Sequence, residues 1–391
     1  MTNDRTNPPA AGLEWLRFSA LPFWATVGYD AQNASFLERM DRRGAPLAAQ
    51  PRRAMTQARQ IFVYARAEAR GWYNGAGAIA RAAFAAMVER YFEADSRPGW
   101  AFSCDAAGQV TDAKRDFYAQ AFCLLACAQH AMLTDEAVAL DLADRTLAFM
   151  DTEMMSTHDG YAECWPDAVL PRRQNPHMHL MESLLALHDA DPQRGYLARA
   201  AALVDMLDAR FLQAEGRCLG EFFEQDWTPR NPHTAFEPGH HFEWIWLLHR
   251  FEEAGGGDMA ARRLALLEAA VTGFRSDGLL VDEMSTVGVA VTPATRLWPL
   301  TEAMKALALP QAAAINAPSP ADCWAALHRR FLSDAPDGCW QDHFSVDGLE
   351  LVDFIPASSL YHLCCAFDSL AELSHQRQAS SAPTGDALKL E

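Results

Sequence analysis

The sequence has few basic residues for its length and no long apolar run. Among 391 residues, 33 Lys and Arg stand against 51 Asp and Glu, which gives a formal net charge of −18. A nucleic-acid partner is not expected, because binding would need a basic surface that contacts phosphates. The N-terminal "MTNDRTNPPAAGLEW" lacks a basic segment followed by an apolar one, and no apolar stretch reaches the length of a membrane span. These features predict a cytoplasmic protein without a membrane partner.

Motifs that would indicate a cofactor or a metal are also missing. The nine cysteines lack metal-knuckle spacing, and the adjacent Cys364 and Cys365 are typical of reduced thiols in a core. The sequence contains no glycine-rich phosphate loop, no Gly-x-Ser-x-Gly and no His-Glu-x-x-His. A helical di-iron site would need Glu-x-x-His pairs and carboxylates from two further helices. We therefore expect no cofactor and no metal, although a metal stays open as an alternative.

Helical periodicity dominates the chain, and it alternates between two types of helix. Six helices are apolar on most sides with polar residues at their beginnings, and amphipathic helices lie between them. A helix that is apolar all round should be buried, so six inner and six outer helices predict an all-α protein with a single (α/α)6 barrel. We expect the barrel over residues 13–375, flexible segments at 1–12 and 376–391, and a small hairpin within 278–292. The inner helices begin near Gln57, Phe117, Asn175, Gly239, Arg296 and Ser358, about 60 residues apart.

In such a barrel the polar beginnings of the inner helices meet at one end. His179 and Glu182, like His240 and Glu243, are three residues apart and so share a helix face. Each carboxylate is expected to bond its imidazole and raise its basicity; a helix cap with a surface ion pair is the alternative. His177 lies about 200° around the helix from His179, which favours a structural or rim position for it.

Other polar residues at the same end carry weaker signals. His362 opens the last inner helix without an acidic neighbour in sequence, and Arg59 within an inner helix needs an anionic partner or ligand. Trp298 and Glu302 are four apart and share a face. The tryptophan suits stacking on a sugar ring, and filling the core is equally compatible with its position. His241, like His177, is expected to be structural or at the rim.

The ordered motifs from "RRAMTQARQIFVYA" through "KRDFYAQAFCLLA", "NPHMHLMESLLAL", "PGHHFEWIWLL" and "TRLWPLTEAMKAL" to "FIPASSLYHLCCAF" resemble the N-acylglucosamine 2-epimerase superfamily. This superfamily includes mannose isomerases and cellobiose 2-epimerases, and its fold is an (α/α)6 barrel. "DFIPASSLYH" and "RLWPLTEAMKA" are most similar to the mannose isomerase branch. One departure is Gln120, where many relatives have His.

The resemblance implies a site without metal or cofactor. Its catalytic residues are His240, His362, Arg59 and Glu243, and its substrate-binding residues are Asn175, His179, Glu182, Trp298 and Glu302.

The implied activity interconverts D-mannose and D-fructose, and related aldoses and ketoses, through a cis-enediolate. In this interpretation His362 moves the proton between C2 and C1, Arg59 stabilises the enediolate, and His240 is held by Glu243. A sugar 2-epimerase with two opposed histidines is the alternative. A sugar-binding protein, or a glycoside hydrolase with two opposed carboxylates, is a competing class. The expected partner is a small monosaccharide, and exposed outer helices leave a homodimer open.

Overall fold

The computed structural model describes residues 9–213, 217–230 and 235–381, with side chains as far as residue 378. Within these ranges the chain is mainly helical, in agreement with the predicted fold class. The helices are α1 Ala10–Trp15, α2 Leu21–Thr26, α3 Ala54–Ala69, α4 Ala76–Tyr91, α5 Phe117–Thr134, α6 Ala137–Phe149, α7 Asn175–Ala190, α8 Tyr196–Met206, α9 Pro238–Glu253, α10 Ala260–Ala270, α11 Trp298–Leu307, α12 Pro320–Leu327 and α13 Ser359–Ser381.

Alternate helices form two concentric rings. The inner ring runs α3, α5, α7, α9, α11 and α13, each packed on the next, and α13 packs on α3 to close it. Residues 54–65 of α3 are all buried, whereas α4 alternates buried and exposed positions as an outer helix does. The outer positions belong to the α1–α2 pair, α4, α6, α8, α10 and α12. The (α/α)6 barrel is confirmed, and the inner helices begin within three residues of the predicted positions.

Short strands, two or three residues long, connect the helices. They are β1 Tyr29–Asp30, β2 Ser35–Phe36, β3 Arg39–Asp41, β4 Arg52–Arg53, β5 Ser103–Cys104, β6 Val110–Asp112, β7 Arg115–Asp116, β8 Cys164–Trp165, β9 Arg172–Arg173, β10 Leu212–Gln213, β11 Cys218–Leu219, β12 Phe222–Phe223, β13 Ala235–Phe236, β14 Glu283–Ser285, β15 Ala290–Thr292, β16 Thr295–Arg296, β17 His343–Phe344 and β18 Phe354–Pro356. The predicted hairpin is the antiparallel pair β14–β15. The other strands are too short for a period-two pattern to reveal them.

Six strand pairs, each in its own small sheet, lie where the inner helices begin and join the six repeats in a cycle, here called the strand ring. Each strand that precedes an inner helix pairs antiparallel with a strand from the connection before the next inner helix. The pairs are β4–β5, β7–β8, β9–β12, β13–β14 and β16–β17, and β18–β3 joins the last repeat to the first. The strand ring therefore links every repeat to its neighbour where the inner helices begin.

Carboxylates on the connecting segments fix the entry into three inner helices. Glu38 accepts the backbone N–H of Arg53 at 3.1 Å, Glu163 that of Arg173 at 2.6 Å, and Glu221 that of Glu237 at 3.3 Å. All three carboxylates are buried, so each contact satisfies a backbone donor that water cannot reach. These contacts hold the first turns of α3, α7 and α9 in place.

The described helices extend past both predicted barrel boundaries. Residues 10–12 belong to α1, and α13 continues through Ser381. The remainder of the predicted flexible ends, residues 1–8 and 382–391, lies outside the described residues. In the part of the chain that is described, no helix combines the length and apolar character that a bilayer crossing requires.

Candidate active site

A cavity of ≈ 380 Å³ opens where the inner helices begin, and all six of them contribute to its wall. Its size is in the range typical of small-molecule sites. Seven of the nine predicted site residues line it: Arg59, Asn175, His179, His240, Glu243, Trp298 and His362. Glu182 and Glu302 do not line it and instead contact His179 and His362. The repeat predicted that the polar beginnings of the six inner helices meet at one end of the barrel, and they do.

His362 is held by a carboxylate from the neighbouring inner helix. Its Nδ1 lies 2.8 Å from Glu302 Oε1, and Glu302 is fully buried. Burial lowers the pKa of His362 to about 4, outweighing the hydrogen bond to Glu302 that would raise it. The neutral ring donates from Nδ1 to the carboxylate, so Nε2 carries the lone pair. Sequence spacing missed this partner, because Glu302 is on α11 and His362 on α13.

His240 also binds a carboxylate through Nδ1, but from a different residue than predicted. Glu221 Oε2 lies 2.9 Å from His240 Nδ1, and Glu237 Oε2 lies 3.8 Å away. Burial lowers the pKa of His240, but the charges of Glu221 and Glu237 outweigh it and raise the pKa to about 10. His240 is therefore an imidazolium at neutral pH.

On its other side, His240 Nε2 lies 2.9 Å from the side-chain nitrogen of Asn175. The Asn175 carbonyl oxygen has no partner among the described residues, so turning that amide over would let it accept from the imidazolium.

Glu243 does not hold His240, and that prediction was wrong. Its Oε1 lies 4.0 Å from His179 Nε2 and 3.9 Å from His362 Nδ1, deeper in the barrel. The three-residue spacing puts Glu243 and His240 on one face, but the Glu221 carboxylate at the strand ring already occupies Nδ1 of His240. Burial and the charge of Glu302 raise the pKa of Glu243 well above its ordinary value.

The pair of His179 and Glu182 is confirmed. His179 Nδ1 lies 3.0 Å from Glu182 Oε2, and the Tyr361 hydroxyl donates to the other oxygen. Burial lowers the pKa of His179 despite this contact. Glu182 therefore orients His179 from below, and only the histidine reaches the cavity.

Arg59 is buried at the cavity wall without an acidic partner among the described residues. One terminal nitrogen donates to the Tyr118 hydroxyl at 2.6 Å, and the guanidinium carbon lies 4.2 Å from the ring centre of Phe122 and 5.0 Å from that of Tyr361. Aromatic faces compensate part of the cost of burying a cation. The remaining charge is available to an anion that forms in the cavity.

Trp298 lies against both catalytic candidates. Its ring centre is 5.3 Å from that of His240 and 5.5 Å from that of His362, at tilts of 33° and 34°. A Cβ on Gly239 would come within 2.5 Å of the Trp298 ring. The glycine in "PGHHFE" is thus required for Trp298 to sit beside the histidines.

His177 and His241 serve the fold rather than the cavity. Both are fully buried, and both accept a backbone N–H at Nε2, His177 from Tyr161 at 3.1 Å and His241 from Leu219 at 3.2 Å. Each Nδ1 faces the carbonyl four residues earlier, and burial lowers their pKa values to about 3 and about 4. The structural interpretation is correct for both, but neither is at the rim.

Gln120, the departure from the superfamily pattern, has the same structural role. Its Oε1 accepts the N–H of Trp100 at 3.0 Å and its Nε2 donates to the Trp100 carbonyl at 2.8 Å. Gln57 holds the backbone of Phe36 in the same way at the corresponding place on α3. Gln120 therefore leaves the cavity unaffected, and α5 contributes Tyr118 instead.

Among the described residues, two groups of acidic residues and histidine bring their donor atoms within 4.8 Å of one another, as a metal site would require. They are Glu221, Glu237 and His240, and Glu243, Glu302 and His362. In the second group the Lys305 ammonium contacts Glu302, so a metal cation would meet a positive charge. In the first group Glu221 already accepts from Gln174 and from the N–H of Glu237. Hydrogen bonds and ion pairs account for both groups.

The residues that sequence reasoning missed are Tyr118, Glu221, Glu237 and Lys305. Lys305 follows Glu302 by three positions, a readable helical spacing. Glu221 lies on a short connecting segment whose position only the folded chain fixes.

Comparison with known proteins agrees with this arrangement. The family model described as N-acylglucosamine 2-epimerase (GlcNAc 2-epimerase) matches residues 35–366. A mannose-6-phosphate isomerase of Rhizobium meliloti (strain 1021) is 33% identical over 375 residues, covering 92% of this chain and 95% of that protein. A D-mannose isomerase of Thermobifida fusca is 29% identical over 327 residues, covering 77% and 78%. The solved cellobiose 2-epimerase of Bacillus thermoamylovorans B4167 superposes with a TM-score of 0.83 at 19% identity, covering 94% of this chain and 98% of that one.

Proposed function

Because the chain belongs to the N-acylglucosamine 2-epimerase family, we propose that it is an isomerase that interconverts D-mannose and D-fructose through a cis-enediolate. Two relatives that match most of the chain are named mannose-6-phosphate isomerase and D-mannose isomerase. The proposal rests on two buried histidines beside one cavity, each bound at Nδ1 by a carboxylate; burial lowers the pKa of His362, and Glu221 and Glu237 raise the pKa of His240 against the effect of burial. Moving a proton between adjacent carbons needs a base and an acid at the same time.

His362 is the base. Its neutral Nε2 removes the proton from C2 of the open-chain aldose and returns it to C1. Glu302, fixed at Nδ1 by a 2.8 Å contact, stabilises the imidazolium that exists between the two transfers. The same proton can move between the two carbons without leaving the site.

His240 is the acid. Its imidazolium donates a hydrogen bond to O1 while the enediolate carries the negative charge. It then gives its proton to O1 and takes the proton of O2, so that the C2 carbonyl forms when His362 protonates C1. Glu221 keeps the ring charged and oriented. The same group can protonate the ring oxygen when the cyclic sugar opens.

The enediolate is stabilised by charge fixed before the reaction. Arg59 has no acidic partner among the described residues, and the inner helices present the positive ends of their dipoles to the cavity. The carboxyl of Glu243, whose pKa burial and the charge of Glu302 raise, lines the cavity and can hydrogen-bond a sugar oxygen. Trp298 supplies an apolar face for the sugar.

A glycoside hydrolase would need two opposed carboxylates in the cavity. Of Glu182, Glu243 and Glu302, only Glu243 lines it, but Glu237 and Asp342 line it as well, so an assay of glycoside cleavage decides this alternative. A 2-epimerase could use the same two histidines, so product analysis must separate it from an isomerase.

The test is incubation of the purified protein with D-mannose in D2O, with products identified by NMR. D-fructose as the first product supports the proposal, and D-glucose as the first product contradicts it.

A His362→Ala variant should lose turnover by a factor of about 10²–10⁴; normal turnover with weakened binding would exclude His362 as the base. A chromogenic mannoside should not be cleaved. Activity lost to a chelator and restored by added metal would overturn the metal-free mechanism.

We further propose a cytoplasmic homodimer. None of the nine cysteines forms a disulfide, as suits a reducing compartment. Outer-layer surface is available for pairing, and Val287, Val289 and Val291 on the β14–β15 hairpin are half-exposed or more. Light scattering at micromolar concentration would give the mass, and a monomer would contradict the assembly.

A further inference from the structure

His362 and His240 each bind a carboxylate through Nδ1, but the two carboxylates have different further partners. His362 Nδ1 is 2.8 Å from Glu302, and His240 Nδ1 is 2.9 Å from Glu221. Both carboxylates are buried. The contact between imidazole and carboxylate therefore cannot account for the opposite protonation of the two rings.

Glu302 is paired with a buried lysine. Lys305, one helical turn further along α11, places its ammonium against Glu302 Oε2, and only 5% of Lys305 is exposed. Lys305 does not line the sugar cavity; it contributes to a smaller cavity of ≈ 100 Å³ that opens towards the C-terminal ends of the inner helices. A buried lysine keeps its charge where a partner of opposite charge compensates it.

Glu221 has no such cation. Among the described residues it accepts from Gln174 Nε2 at 3.0 Å and the backbone N–H of Glu237, and neither Lys nor Arg contacts it. A second carboxyl, Glu237, stands beside the same ring. The full negative charge of Glu221 therefore acts on His240.

We infer that Lys305 determines which histidine is the base, because it neutralises Glu302 and so leaves His362 uncharged while His240 remains an imidazolium. This inference rests on the proposed isomerase mechanism. Lys305 is a positioning residue in this scheme, since it acts through Glu302 and touches no substrate.

The other charged groups around His362 do not replace this effect. Glu302 faces it from α11, Glu243 from α9 at 3.9 Å, His179 from α7 and Arg59 from α3. The charge of Arg59 lowers the pKa of His362, and burial and the charge of Glu302 raise the pKa of Glu243. Without the lysine, Glu302 would be the dominant charge, and the His362–Glu302 pair would take up a proton at higher pH.

The test compares Lys305→Met, which removes the charge at similar volume, with Lys305→Arg, which keeps it. The pH dependence of kcat/KM for D-mannose is measured for both and for the unmodified protein. In Lys305→Met the acidic limb should move up by about 1–2 pH units, with KM at high pH unchanged. Lys305→Arg should keep the original profile. An unshifted acidic limb in Lys305→Met, or an equal shift in both variants, would overturn the inference.

A second measurement does not depend on activity. NMR titration of ¹⁵N-labelled histidines, assigned with His240→Gln and His362→Gln, reports both rings in the unmodified protein and in Lys305→Met. We expect His362 neutral and His240 charged at pH 7 in the unmodified protein, and a raised midpoint for His362 in the variant. If both rings titrate at the same pH in the unmodified protein, the inference is wrong, even if no Lys305 variant folds. If the two rings titrate as expected but the protein does not convert D-mannose, only the proposed function is contradicted.

Discussion

Two histidine–carboxylate pairs show what residue spacing can and cannot determine. The three-residue spacing correctly predicted the contact of His179 with Glu182, because both side chains extend along α7. The same spacing failed for His240 and Glu243, because Glu221 from a connecting segment occupies the histidine first. Spacing fixes which side chains share a face, and tertiary partners then decide which contact forms. Sequence reasoning therefore identified the histidines of the site but not the carboxylate that sets the charge of His240.

Glu221→Gln should convert His240 into an ordinary histidine. The pKa of His240, now raised to about 10 mainly by Glu221 against the effect of burial, should fall by about 2 units or more. An acid is active below its pKa, so activity is lost as pH rises through that value. The basic limb of the kcat/KM profile should therefore move to lower pH, and the loss should be largest above pH 8.

Glu224→Gln is the matched control, because Glu224 is an acidic residue close in sequence that pairs at the surface with Arg230. It should leave the pH profile unchanged. A basic limb that stays in place in Glu221→Gln would mean that His240 is not the acid.

At the scale of elements, the inner helices were predictable and the strands were not. A helix apolar on every side, such as α3 or α5, carries a pattern over four or more turns. Strands such as Arg52–Arg53 offer two residues, too few for any period. The strand ring is nevertheless what aligns the beginnings of the inner helices. The side chains that bind the connecting segments beside it, Gln57, Gln120, His177 and His241, are recognisable as structural only once their backbone partners are known.

The packing of α9 against α11 supplies a prediction at this scale. Gly239→Ala would place a methyl group 2.5 Å from the Trp298 ring, so the tryptophan must move away from the histidines. KM for D-mannose should rise several-fold, because the apolar face for the sugar is displaced. Gly239→Ala combined with Trp298→Phe should recover part of the loss, since the smaller ring leaves room. A single variant with an unchanged KM would show that Trp298 does not contact the sugar.

At the scale of the whole molecule, the two rings close through contacts between the last repeat and the first. Strand β18 pairs with β3, and α13 packs against α3. The position of every site residue depends on the place of its helix in the ring. It does not depend on the order in which the inner helices follow one another along the chain. The point where the chain is cut should therefore matter only if the cut disturbs the ring itself.

A circular permutant tests this directly. The new ends should be placed between Gly257 and Asp258, an exposed connection between α9 and α10, where an added Cβ on Gly255 or Gly257 would meet nothing within 4 Å. Gly12 lies against Phe367, and the eleven residues from Phe367 to residue 378 span roughly 17 Å of helix. A flexible linker of about 15 residues can therefore join the two ends of the described chain.

The permutant should fold with the same helix content by circular dichroism and should keep kcat/KM within a factor of about three. The comparison is a permutant cut between Glu237 and Pro238, where Glu237 binds Glu221 through its N–H and α9 begins. That cut separates His240 from the strand ring, so it should lower kcat/KM by a factor of about 10² or more, the scale on which a displaced catalytic group acts. Equal activity in both permutants would mean that the strand ring does not position the acid, and loss of folding in the first would mean that closure depends on the natural chain order.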